Sequence, residues 1–106
     1  MEKFEVGKIY SYERGSGSGY DECRYYDYYL ITRKTEKGIW YKRISVAVEV
    51  YGKAVDEKAD FNKFEKAVEK RSKLSIYEGG ECFIYTRESG CQDYIFFKYA
   101  EEVELN

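Results

Sequence analysis

Three cysteines and no histidine frame the chemistry open to this chain. Cys23, Cys82 and Cys91 each stand beside carboxylates: Asp21 and Glu22, Glu81, and Asp93. Three thiolates and one such carboxylate would complete a tetrahedral shell, so structural zinc is the cofactor these residues could hold. Their spacing argues against it, because zinc knuckles set a ligand pair about two to four residues apart. A hairpin with Cys82 near its base and Cys91 at its tip would hold the two thiols on the order of 15–20 Å apart. The reading without metal is two half-buried cysteines and one exposed thiol. An odd cysteine count also excludes a complete disulfide framework within one chain.

Lacking histidine, the chain has no Ser–His or Cys–His nucleophile pair and loses the commonest general base. Carboxylate clusters exist (Asp21, Glu22 and Asp27; Glu78 and Glu81), but where 36% of residues are charged they arise from composition. Gly15-Ser16-Gly17-Ser18-Gly19 runs towards a strand and has no Lys-Ser/Thr to finish a phosphate cradle. It reads as a solvated connection. The expectation is a protein that is not an enzyme.

The elements that must position any site begin with Cys23 to Tyr51, read as one β-hairpin folded at Thr35-Glu36-Lys37-Gly38. A three-residue loop with Gly38 at positive φ would set Thr35 opposite Ile39, Leu30 opposite Ile44, Tyr28 opposite Val46 and Tyr26 opposite Val48. Arg24 would face Val50. That set shares a face with Trp40 and reads as buried. The other face, with Cys23, Tyr25, Asp27, Tyr29 and Ile31 opposite Tyr51, Glu49, Ala47, Ser45 and Arg43, reads as outward.

Before the hairpin, Gly7 marks a turn into a strand over 8–12. After it, Asp56 or Asp60 caps an expected helix running to Lys73, with Phe61, Phe64, Ala67 and Val68 as its apolar stripe. A short strand at Ser75-Ile76-Tyr77 precedes a second hairpin, Glu81–Arg87 and Gln92–Tyr99. Its tip at Ser89-Gly90 would pair Phe83 with Phe96 and Ile84 with Ile95; a three-residue loop including Glu88 would shift this by one. The expected fold is a single α+β domain over 1–106, an antiparallel sheet of about five strands (β-β-β-α-β-β) with one helix on a face.

A net charge of −2 disfavours a generic polyanion binder, so nucleic acid is not expected as the direct ligand. Met1-Glu2-Lys3-Phe4-Glu5 lacks the apolar run of a signal peptide, and no stretch is long enough to span a bilayer. The expected compartment is the cytoplasm. Thirteen tyrosines are more than one small core can bury with every hydroxyl satisfied. Binding surfaces are enriched in tyrosine, which offers rigid contact area with a polar tip. The expected partner-binding residues are Tyr25, Asp27, Tyr29, Tyr41, Arg43 and Glu49, on the outward face of the hairpin.

Phe4-Glu5-Val6-Gly7-Lys8-Ile9-Tyr10-Ser11 is similar to the first strand of many short mobile-element proteins. The small, histidine-free, aromatic and charged chain as a whole resembles anti-CRISPR proteins aimed at type II effectors. These share no common motif, so no functional residue carries over. The resemblance implies stoichiometric inhibition by binding an effector such as Cas9, in the host bacterial cytoplasm if phage-encoded. The basic hairpin tip (Arg33, Lys34, Lys37, Lys42, Arg43) fits duplex mimicry poorly and suits obstruction of DNA loading better. The alternative is a small nucleic-acid-binding module that stacks bases on tyrosines beside Arg33, Lys34, Lys42 and Arg43.

Overall fold

The computed structural model describes residues 2–16, 23–51, 53–54 and 58–104, without the side chains of Ser16 and Glu49. Within them lie β1 (Ile9–Ser16), β2 (Cys23–Lys34), β3 (Gly38–Val50), β4 (Lys53–Ala54), β5 (Lys70–Lys73), β6 (Ser75–Tyr77), β7 (Gly80–Thr86), β8 (Gln92–Phe96) and β9 (Glu101–Val103). The larger antiparallel sheet runs β4-β3-β2-β1-β9, with β5 also paired to β3, and the smaller runs β6-β7-β8. The fold is mainly β. Gly15 and Ser16 of the expected glycine loop belong to β1, opposite Arg24 and Cys23, while Gly17-Ser18-Gly19 and Asp56 lie outside the described residues.

β2 and β3 form the expected hairpin with a different register. Thr35 N–H donates to Gly38 O, which leaves Glu36-Lys37 as a two-residue turn, and Lys34 stands opposite Ile39. A bulge between Ile31 and Arg33 then sets Ile31 opposite Tyr41, Tyr29 opposite Arg43 and Tyr28 opposite Ile44. Gly38 does not have the positive φ expected from sequence; its missing Cβ leaves room for the Arg71 guanidinium. A Cβ there would sit 2.9 Å from an Arg71 guanidinium nitrogen.

The expected interior and exterior of this hairpin are corrected. Asp27, Tyr29 and Tyr41 are buried, packed with Ile31, Ile39, Phe83, Tyr85 and Ile95 between the two sheets. Phe83 of β7 contacts Tyr29 and Tyr41 with ring centroids 5.5 and 4.9 Å away. The opposite face is partly covered too. Phe61 and Phe64, stacked 6.0 Å apart, lie with Ile9, Ile44, Tyr28 and Leu30. A strand covered on both faces carries apolar residues at odd and even positions alike, and alternation then no longer separates inside from outside.

The expected helix to Lys73 is also corrected. Asp60 does cap a turn, its carboxylate accepting from Asn62 N–H at 3.1 Å, but the turn is 3₁₀ and spans only Phe61–Glu65. Lys70–Lys73 instead pairs with β3, Arg71 opposite Trp40 and Lys73 opposite Gly38. The open edge of β3 offers these four residues a ladder of backbone bonds, and this outweighs the helical spacing of the apolar residues before them. Val68, expected in the apolar stripe, is exposed.

In the smaller sheet the three-residue loop Glu88-Ser89-Gly90 closes the hairpin, with Gly90 at φ +90° and Arg87 N–H donating to Cys91 O. Phe83 therefore faces Ile95, and Ile84 faces Tyr94. The expected Phe83–Phe96 pairing is off by one. Phe4 locks the layers together: its ring meets Tyr10, Phe83 and Phe97, and its backbone bonds Glu81 and Lys34.

Candidate functional site

The corrected register of β7 and β8 decides what the smaller sheet shows to solvent. Phe83, Tyr85 and Ile95 point into the core. Cys82, Ile84 and Thr86, with their partners Phe96, Tyr94 and Gln92, take the outer face. β6 adds Ser75 and Tyr77 opposite Cys82 and Gly80. The outer rings meet one another: Phe96 lies 5.1 Å from Tyr77, 6.3 Å from Tyr94 and 5.9 Å from Tyr99. Tyr77, Tyr94 and Tyr99 are 54%, 51% and 60% exposed, so the cluster is a surface and not a second core. Ser75, Ile76, Tyr77, Ile84, Tyr94 and Phe96 line a shallow groove of about 400 Å³ there. Contiguous aromatic surface on a small protein marks a contact site, and the tyrosine hydroxyls keep its rim wet.

A second concavity, about 170 Å³, opens where β1 passes β8, lined by Tyr12, Glu13, Arg14, Asp27, Asp93 and Tyr94 among others. Its charges are used within the fold. Asp27 accepts from Arg14 Nε at 2.9 Å, Arg43 Nη2 at 3.1 Å and Ser45 Oγ at 2.6 Å. Asp93 takes a bidentate pair from Arg87 at 2.8 and 2.6 Å, which holds its carboxyl below the ordinary range. Glu13 pairs with Arg24 at 3.0 Å. Groups bound this way position one another within the fold.

The expected partner-binding residues do not form an accessible face. Tyr29 and Tyr41 sit under β7, and burial raises their phenol pKa values, that of Tyr41 to about 12. Asp27 is 1% exposed. Arg43 is drawn inward between Asp27 and the Tyr85 ring, 4.1 Å from its centroid. Tyr25 is half-buried beneath the Arg14 guanidinium. Glu49 stands opposite Arg24 in the ladder, its side chain outside what the structure describes. The Tyr29 hydroxyl is buried beside the Arg43 guanidinium without a well-aligned hydrogen bond to it. Tyr29→Phe should therefore leave stability unchanged or raise it by up to about 1 kcal/mol. A urea midpoint lowered by more than that would reveal a bond to this hydroxyl.

Nor are the three cysteines brought together as a zinc shell requires. Cys23 is half-buried at the start of β2, Cys82 is buried in β7, and Cys91 is exposed at the hairpin tip. Among the described residues no group of three Cys, Asp or Glu side chains is placed to hold a metal. Burial pushes the Cys82 thiol up, as for a small hydrophobe.

Sequence reasoning did not single out Tyr77, Tyr94 or Tyr99 as contact residues. The signal was available in Gly90, whose fitness for a left-handed third loop position selects the register that turns Tyr94 outward. No described helix is long and apolar enough to cross a membrane. Comparison with known proteins finds no matching family model, no similar curated protein and no matching solved structure.

Proposed function

We propose that this chain is a non-enzymatic inhibitor that works by occupying a surface of another protein, through the outer face of β6, β7 and β8. The observation that carries the reading is the exposed ring cluster of Tyr77, Tyr94, Phe96 and Tyr99 around an apolar groove. Burying such rings supplies most of the energy of a compact interface, and their rigidity keeps the ordering cost low. The expected hairpin face is replaced as the contact surface, because its central side chains are committed to the core. The resemblance to anti-CRISPR proteins puts a Cas9-type effector in the bacterial cytoplasm first among partners, with obstruction of DNA loading as the mode of inhibition.

The test is binding to a purified Cas9–guide complex, with inhibition of target cleavage measured at one-to-one stoichiometry. Tyr94→Ser and Tyr99→Ser should each weaken binding by about 2 kcal/mol while leaving the urea midpoint in place. Unchanged affinity in both variants would remove this face as the site. An unmodified protein that neither binds nor inhibits the effector would remove the partner class.

A further inference from the structure

The geometry points to a second binding surface on the opposite side of the molecule, made by Arg33, Trp40 and Arg71 and suited to single-stranded nucleic acid. It stands apart from the ring cluster of the smaller sheet. Trp40 lies on β3 with Arg33 of β2 and Arg71 of β5 as its direct cross-strand neighbours. Their guanidinium carbons lie 4.6 and 5.2 Å from its ring centroid, so the two cations stand within about 10 Å of each other. The absence of a Cβ on Gly38 gives Arg71 the room to lie across the hairpin, since any side chain there would meet its guanidinium at 2.9–3.2 Å. Lys42 continues the same face, two residues along β3 from Trp40.

Two cations of the basic hairpin tip are already engaged within the fold. Lys34 is tied to Glu81 and Phe4 O, and Arg43 to Asp27. Arg33, Arg71 and Lys42 form no ion pair with any described residue. Two like charges held on one ring, within a Debye length of each other, repel, and an anion that bridges them relieves the repulsion. Phosphodiester oxygens accept from guanidinium forks, and a half-buried indole on a sheet surface offers a base a face to stack on once a guanidinium swings to a phosphate. An acidic peptide would satisfy the charge and leave the indole unused. Net charge argued against a nucleic-acid ligand, but it averages over two faces of which only this one carries an arginine–tryptophan–arginine row.

Trp40 is the sole tryptophan, so its fluorescence reports the site directly. Titration with a short oligothymidine at low salt should quench it, and log affinity should fall against log salt with a slope of about −2 for three neutralised phosphates. Arg33→Gln with Arg71→Gln should lower affinity at least tenfold. The Arg33→Lys, Arg71→Lys pair, which keeps both charges and the fold, should retain the salt slope and lose part of the quench. Absence of quenching by oligothymidine would overturn the proposal. So would equal binding of polyglutamate of the same length, or full affinity in the glutamine pair.

Discussion

Asp27→Asn should destabilise the domain by about 3 kcal/mol, the low end of the range for breaking a buried ion pair. The carboxylate is 1% exposed and holds two guanidiniums and a hydroxyl, so the amide would take from Arg14 and Arg43 the charge they share and leave them only the Asp93 carboxylate, already paired with Arg87. Both arginines keep 17% of their side-chain surface in water, which is why the upper end of the range is not expected. The ion triad is not in itself a large source of stability, because three charges lose hydration when it forms. Removing Asp27 and Arg43 together should consequently cost less than the sum of the separate changes, a coupling that a double-mutant cycle in urea measures. A loss below 1 kcal/mol for Asp27→Asn would mean that water reaches the carboxylate.

Phe83→Ala should cost about 3–5 kcal/mol, combining lost apolar burial with the cavity left behind. This ring is the point where the two sheets touch: Phe4, Tyr29 and Tyr41 surround it with centroids 5.2, 5.5 and 4.9 Å away. Neighbouring side chains come from three separate stretches of chain and cannot all collapse into the space. Its sequence neighbour Ile84 pairs with Tyr94 on the outer face, where Tyr94→Ala should change stability by less than about 1 kcal/mol. Equal effects at Phe83 and Tyr94 in chemical denaturation would contradict the assignment of inner and outer faces.

Much of the chain's organisation was legible in its residues. The central hairpin announced itself through long β-rich runs on both sides of Thr35–Gly38, and pairing of odd with odd positions in its middle survives the corrected register. Gly7 at φ +88° and the Asp60 cap are where local chemistry put them. What could not be read was which face the rest of the molecule covers. Tyr29 and Tyr41 carry hydroxyls that suit water, yet the layer above them comes from residues 80–96, and no local pattern tells where that layer will dock. Asp27 was misread for the same reason: a carboxylate looks exposed until Arg14 and Arg43, distant in sequence, neutralise it. At residues 61–73 the spacing Phe61, Phe64, Ala67, Val68 fits a helix, but the free edge of β3 is a tertiary feature and captures 70–73 as a strand. The candidate contact surface was lost to one register step in the second hairpin, which exchanged the faces of β8.

Tyr29 and Tyr41 of the central hairpin are sealed between two sheets, while the tyrosines of the smaller sheet's outer face meet the solvent. Time-resolved nitration of the native protein, read residue by residue by mass spectrometry, tests this arrangement most directly. Tyr77, Tyr94 and Tyr99 should be modified early, whereas Tyr29 and Tyr41 should react only when the domain unfolds. Native-state modification of Tyr29 and Tyr41 at the rate of Tyr94 would contradict the two-sheet account.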